Sequence, residues 1–270
     1  MGTSGDYMAF QFIRVQKETH ITIVTIERPE VMNALHPPAC QELDEAFDSF
    51  SGDSESWVAI LTGAGNRAFC AGNDFKWQSQ NGKDAVAERL SSLKGGFGGI
   101  TSHFDCFKPI IAAVNGAAMG GGLAIVLACD IVLAAETATF GLPGPRLGTM
   151  TQAGGIHRLI RQIPFHQAME LILTGRHITA QEALRMGIVN QVVPPGNLMS
   201  EANGWAKEIL TCAPLAVRAS KEAAIMGYNL SIEDAIGRAF PQTLAMNNSV
   251  DIMEGQLAFA EKRKPQWKGV

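Results

Sequence analysis

The segment from Ile110 to Ala134 constrains the fold of this chain more than any other. Ile110-Ile111-Ala112-Ala113-Val114 is an uninterrupted apolar run of strand length. Gly120-Gly121-Gly122 opens an apolar stretch of helical length that ends near Cys129, and Ile131-Val132-Leu133-Ala134 is a further apolar strand. Strand, helix and strand in that order make a βαβ unit, in which the two strands run parallel. Trp57-Val58-Ala59-Ile60-Leu61, ending at Thr62-Gly63, adds a short buried strand to the same alternation. Upstream, Phe12 to Glu27 alternates around Ile21-Thr22-Ile23-Val24-Thr25-Ile26 and predicts a strand pair that ends at Arg28-Pro29-Glu30. Pro37-Pro38 then precedes a helix in which Leu43, Ala46, Phe47 and Phe50 recur at helical spacing.

Beyond Arg158 the pattern turns helical. Gln167 to Leu173, Ala180 to Met186, Leu198 to Leu210, Pro214 to Met226, Ile232 to Met246 and Met253 to Glu261 are the expected helices, with a strand-like Val189 to Val193 among them. No internal repeat or low-complexity tract stands out. With 270 residues, 46% of them hydrophobic, the chain can bury a substantial core. A formal charge of -4 and no long basic run argue against nucleic acid as a partner. The apolar run from Ile110 to Leu133 is broken by Asn115, glycines and Asp130, so no membrane span is expected. Five scattered cysteines without a CxxC pair, and an N-terminus without a secretory pattern, fit free thiols in the cytoplasm.

Six stretches, in order and spacing, resemble the crotonase (enoyl-CoA hydratase/isomerase) superfamily over roughly Phe12 to Trp267. They are Arg28-Pro29 with Asn33-Ala34-Leu35, Ala68-Phe69-Cys70-Ala71-Gly72-Asn73-Asp74-Phe75, and Lys108 to Gly122 leading to Cys129-Asp130. Phe140-Gly141-Leu142-Pro143 and Leu173-Thr174-Gly175 complete the set, with Glu261 to Pro265 near the end. The resemblance implies an α/β fold: a crotonase-like spiral of βαβ units followed by a helical C-terminal trimerisation region. Residues 1–9 would be a disordered tail, 10–200 the spiral core and 201–270 the helical region. It implies an acyl-CoA substrate, no permanently bound cofactor, and a homotrimer or dimer of trimers. The backbone amides of Asn73 and Gly121 would form the oxyanion hole, and Ala68, Ala71, Gly72 and Asn73 would cradle the CoA adenine. Phe259 and Lys262 would reach the CoA of a neighbouring subunit.

The same resemblance places two catalytic glutamates where this chain has Ala124 and Gly144. Neither residue can activate water or protonate a carbon, so hydration by two carboxylates is not expected. If side chains fit there, glutamate at both positions should restore it. Phe140-Gly141-Leu142-Pro143-Gly144-Pro145-Arg146-Leu147-Gly148 is also similar to the naphthoate synthases and ketocyclohexane-carboxyl-CoA ring hydrolases, which carry Gly-Pro-basic-x-Gly. In some synthases a bound bicarbonate replaces the lost carboxylate. Here Leu142-Pro143 replaces their Gln-Thr, and Thr149-Met150-Thr151 their Ser-x-Asp. Three functions therefore stay open: an acyl-CoA enzyme with a displaced acid or base, carbon–carbon chemistry with a bound anion or water as base, and a silent acyl-CoA-binding homologue.

Other motifs yield less. Gly63-Ala64-Gly65-Asn66-Arg67-Ala68, with Asp84 downstream, mimics a dinucleotide fingerprint, but the residues that follow do not read as a helix. Asp74 and Asp130 fit structural carboxylates, and Glu136 a turn or surface residue. Six histidines show no ligand spacing, so no metal is expected. His103 and Asp105, just before Lys108-Pro109, are the candidates for a relocated acid or base, next to the flexible Gly95-Gly96-Phe97-Gly98-Gly99.

Overall fold

Each pass of the chain lays one strand in a large sheet and the next in a small one. The computed structural model describes residues 10–82 and 88–270; the expected tail at 1–9 and Asp84 lie outside them. Strands β1 (Ile13–Glu18), β2 (Ile21–Ile26), β3 (Val58–Gly63), β5 (Ile110–Val114), β7 (Ile131–Ala135) and β10 (Gln191–Val193) form the large sheet in the order β1-β2-β3-β5-β7-β10. Only β1 and β2 pair antiparallel there; every other neighbour is parallel. The small sheet, β4 (Ala68–Cys70), β6 (Ala117–Met119), β8 (Thr139–Gly141) and β9 (His177–Thr179), is ordered β4-β6-β8-β9. Thus β3 continues into β4, β5 into β6 and β7 into β8, and helices carry the chain back. This is the expected spiral.

Both faces of the large sheet are covered, which is why its strands are apolar without alternation. Val24, Ile26, Ala59, Leu61, Ala112 and Val114 point into the main core, against Leu43, Phe47 and Phe50 of α1 (Pro37–Gly52). The residues between them, Ile23, Ile60, Ile111 and Ala113, face the other way. They meet Leu198, Ala202 and Ala206, four residues apart on helix Leu198–Leu210.

Further helices follow α1 among the described residues. They are α2 (Phe75–Asn81), α3 (Gly121–Val126), α4 (Gly155–Gln162), α5 (Phe165–Thr174), α6 (Ala180–Met186), α7 (Leu198–Leu210), α8 (Pro214–Gly227), α9 (Ile232–Gly237), α10 (Pro241–Asn247) and α11 (Val250–Ala260). The single helix expected over Ile232 to Met246 is two. Pro241 lacks an amide hydrogen and holds Phe240 in extended backbone (φ -102°, ψ 138°), so the chain restarts as α10. Strands β6, β8 and β9 were not legible, being three residues each.

One close approach fixes α3 on the small sheet. A Cβ on Gly122 would overlap the carbonyl oxygen of Cys70 at the end of β4. Because that obstacle is backbone, Gly122→Ala should destabilise the protein by at least about 2 kcal/mol. An unchanged urea-unfolding midpoint would contradict this packing.

Candidate active site

The site is built where the loop after β4 meets the turn between β6 and α3. Leu35 donates its amide to Gly72 O (2.8 Å), and Asp74 donates its own to Leu35 O (3.0 Å). In such a parallel bridge the residue between these two bonds faces the other way. That residue is Asn73, and its amide has no hydrogen-bond acceptor among the described residues. On the opposite side, Gly120 donates to Gly141 O (2.9 Å), and the first intrahelical bond of α3 is Ala124 N to Gly120 O (3.0 Å). The Gly121 amide therefore lies outside the helical ladder and is likewise unengaged. Gly72 joins the two halves. At φ +91° it stands so close to β6 that a Cβ would lie 2.7 Å from Met119 O and 3.1 Å from Gly121 N.

Polar side chains brace the Asn73 loop from behind. Asn33 Nδ2 donates to Ala68 O (2.7 Å) and Ala64 O (3.0 Å), and its Oδ1 accepts from Arg28 N (3.0 Å). Arg28 Nη1 donates to Ala34 O, and Nη2 to Asp74 Oδ2 (2.9 Å). Asp74 Oδ1 accepts from Trp77 N (3.0 Å), which caps α2. Burial alone would raise the Asp74 carboxyl, but the Trp77 amide and the Arg28 guanidinium outweigh it and hold it below the usual carboxylate range. Burial pushes the neighbouring Cys70 thiol up to about 12, so it is a neutral packing group.

The remaining sequence candidates fall in several places. Ala68, Ala71 and Gly72 lie on β4 and the loop that carries Asn73, and Ala71 donates its amide to Met32 O (3.1 Å). Ala124 is fully buried on α3, and Gly144 is buried at the start of a 3-10 turn, Gly144–Leu147. Asp130 accepts from Ile110 N (2.8 Å) and Lys221 Nζ (2.7 Å), and so joins β5 to α8. His103 is buried with neither ring nitrogen in a hydrogen bond; Nε2 is 3.3 Å from Asp105 Oδ1 and 4.0 Å from Asp48 Oδ1. Lys94 bridges the same two carboxylates at 2.8 and 3.1 Å, so His103 and Asp105 belong to a charged cluster beside the outer face of α1. Phe259 is 87% exposed near the end of α11, with Lys262 just beyond it. No group of three His, Cys, Asp or Glu that could hold a metal ion occurs among the described residues.

Sequence reasoning missed two groups. The ring of Phe97 covers Gly121, its Cε1 only 2.5 Å from where a Cβ would stand. Thr151 adjoins Gly120 and Gly155 across the turn from Ala124. The glycines around Phe97 were visible as flexibility and Thr151 as a departure from a motif, but neither signal locates a side chain.

The profile of the enoyl-CoA hydratase/isomerase family matches residues 16–270. A carnitinyl-CoA dehydratase from Salmonella arizonae is 40% identical over 95% of this chain and 98% of its own length. An (E)-benzylidenesuccinyl-CoA hydratase from Thauera aromatica is 38% identical over 95% and 99%. Among solved structures, an enoyl-CoA hydratase from Mycobacterium marinum superposes with a TM-score of 0.88 at 35% identity, covering 96% of this chain and 99% of that one. A probable enoyl-CoA hydratase/isomerase from Mycobacterium abscessus does so with 0.88 at 38% identity, covering 97% and 100%.

The brace behind Asn73 makes a pH-dependent claim. A carboxyl whose folded pKa is depressed contributes stability above its unfolded value, roughly pH 4, and loses it as pH falls through the folded value. Asp74→Asn should flatten the stability loss below about pH 4. At neutral pH it should cost about 3 kcal/mol, since Arg28 is left buried without its counter-charge. Urea unfolding at several pH values measures both, and an unaltered acid limb would contradict the assignment.

Proposed function

Because the chain belongs to the enoyl-CoA hydratase/isomerase family, we propose that it processes an acyl-CoA thioester by stabilising the thioester enolate at the amides of Asn73 and Gly121. The observation that carries this reading is the pair of unengaged amides brought together across Gly72. When a base removes a proton beside a thioester carbonyl, or a nucleophile adds to the conjugated double bond, negative charge gathers on the carbonyl oxygen. Two fixed N–H donors stabilise that charge as it forms, each by about 3 kcal/mol. The CoA adenine would lie against Ala68, Ala71, Gly72 and Asn73, with Phe259 and Lys262 reaching in from a neighbouring subunit.

Water addition or removal beside a CoA thioester is the chemistry named for the two curated relatives. In this chain Ala124 and Gly144 offer no proton donor or acceptor, so the acid and base come from elsewhere; His103 and Asp105 stay candidates. The absence of an ionisable group at both positions also favours a second reading, a homologue that binds acyl-CoA and turns nothing over. Mass spectrometry of a panel of acyl-CoA esters incubated with the protein separates the two readings.

Residues 10–200 would form the binding core and 201–270 the assembly region of a homotrimer or dimer of trimers. Ile232 and Ile236 stand 76% and 80% exposed on α9, and Met253 and Leu257 are exposed on α11. These exposed apolar side chains on the C-terminal helices support that assembly.

Butyryl-CoA should bind by calorimetry; no heat at millimolar ligand would overturn the reading. In an enzyme with measurable turnover, Gly72→Ala should lower the rate about a hundredfold by crowding the Gly121 amide. Asn73→Ala, which keeps its amide, should change the rate little. Light scattering should report three or six times the 28.9 kDa chain mass, and a stable monomer at micromolar concentration would reject the assembly.

A further inference from the structure

Helix α1 starts on a histidine that directly follows Leu35, the residue whose backbone brackets Asn73 by pairing with Gly72 and Asp74. His36 is the N-cap, in extended backbone (φ -103°, ψ 165°), and its carbonyl accepts from Cys40 N (3.0 Å) to begin the helical ladder. Pro37 and Pro38 carry no amide hydrogen, so Ala39 N is the donor in the first turn that needs a partner. His36 Nδ1 accepts from it at 3.2 Å. That bond requires a neutral imidazole with its hydrogen on Nε2. The ring is buried, with Phe12 edge-on at 4.5 Å and Trp77 of α2 edge-on at 5.9 Å.

The charged groups around this ring come from three segments: Arg28 after β2, Asp74 in the loop after β4, and Glu42 on α1. Phe12 brings no charge, and Trp77 lies under Arg89 (5.7 Å). Burial first, and then Arg28, keep the imidazole below the ordinary histidine range; Asp74 and Glu42 pull the other way without reversing this. A proton on Nδ1 would set one donor against another at Ala39 and place a positive charge at the positive end of α1. The cap would be lost. We propose that neutral His36 is a positioning residue that holds Leu35, and through it the Asn73 amide, in place for the thioester, and releases them when protonated. The proposal rests on the thioester seat at Asn73 and Gly121 and adds a pH dependence to it. A histidine whose folded pKa is depressed contributes stability above its unfolded value, about pH 6.5, and loses it as pH falls. That window lies above the one set by Asp74, below about pH 4.

The test needs no turnover. Dissociation constants of butyryl-CoA are measured by calorimetry between about pH 7.5 and about pH 4.5 for the wild type, His36→Asn, His36→Ser and His36→Ala. Asn and Ser cap a helix without titrating, so both variants should bind at about pH 7.5 as the wild type does. Across the range the wild type should lose about fivefold more affinity than either, the value of one helix cap. His36→Ala should be weaker by about that factor at every pH. Titration of the ligand's own groups is common to all four proteins and cancels in the comparison. A cap that served the fold alone would move the urea midpoint with pH and leave affinity unchanged. Equal pH profiles for the wild type and the Asn and Ser variants overturn the role of His36 and leave the thioester seat standing. So does loss of binding by both variants at about pH 7.5. Failure of butyryl-CoA to bind the wild type removes the seat and the proposal together.

Discussion

The close approach of two backbone segments, Cys70 to Asn73 and Met119 to Gly122, is the contact on which the rest of the molecule depends. Gly122 sits where any side chain would strike Cys70 O, and Gly72 where one would crowd Met119 O and the Gly121 amide. Only with both residues lacking a Cβ can β4 and α3 close on each other. The approach brings Gly72, which precedes Asn73, against the Gly121 amide, and it also seats the small sheet against the first turn of α3. The proposed thioester seat and the fold thus share one constraint, and a change at either glycine would disturb both.

That approach is supported at a distance. The large parallel sheet, buried on both faces, sets the spacing of β3, β5 and β7, and each of these strands runs directly into a strand of the small sheet. Arg28, Asn33 and Asp74 then tie the loop after β4 to the segment before α1, in a layer where all three side chains have partners. A buried guanidinium is tolerated only when charge and hydrogen bonds are met, and here one carboxylate and one carbonyl meet them.

An oxyanion seat built from backbone, as proposed for Asn73 and Gly121, has a chemical consequence. Side chains at 124 and 144 can change without disturbing the amides, so carboxylates at these positions are separable from the seat itself. The separation is not freely reversible. Thr149 and Met150 now close over Gly144, and Gly155 closes over Ala124. Glutamates placed at both positions would meet packed atoms where the sequence suggested spare room, and overpacking would work against any gain in acid–base chemistry.

The chain's own pattern determined the alternation of apolar strands and helices, the parallel character of the large sheet, the helical C-terminal third and the two loops that carry the unengaged amides. These are local or periodic properties: a run of Ile, Val and Ala between glycines reads the same before and after folding. Tertiary structure alone decided the three-residue strands β6, β8 and β9, since pairing rather than propensity makes them. The break at Pro241 was in principle legible, because proline's missing donor is a local fact. The pairing of His103 with Asp105, Lys94 and Asp48 was not, because it depends on how residues 94–105 lie against α1. Nor was the place of Thr151 beside Gly120, which two strands, two turns and a helix bring together from positions far apart in sequence. Periodicity reports which face of an element is buried, and only packing in three dimensions reports which atoms face each other across it.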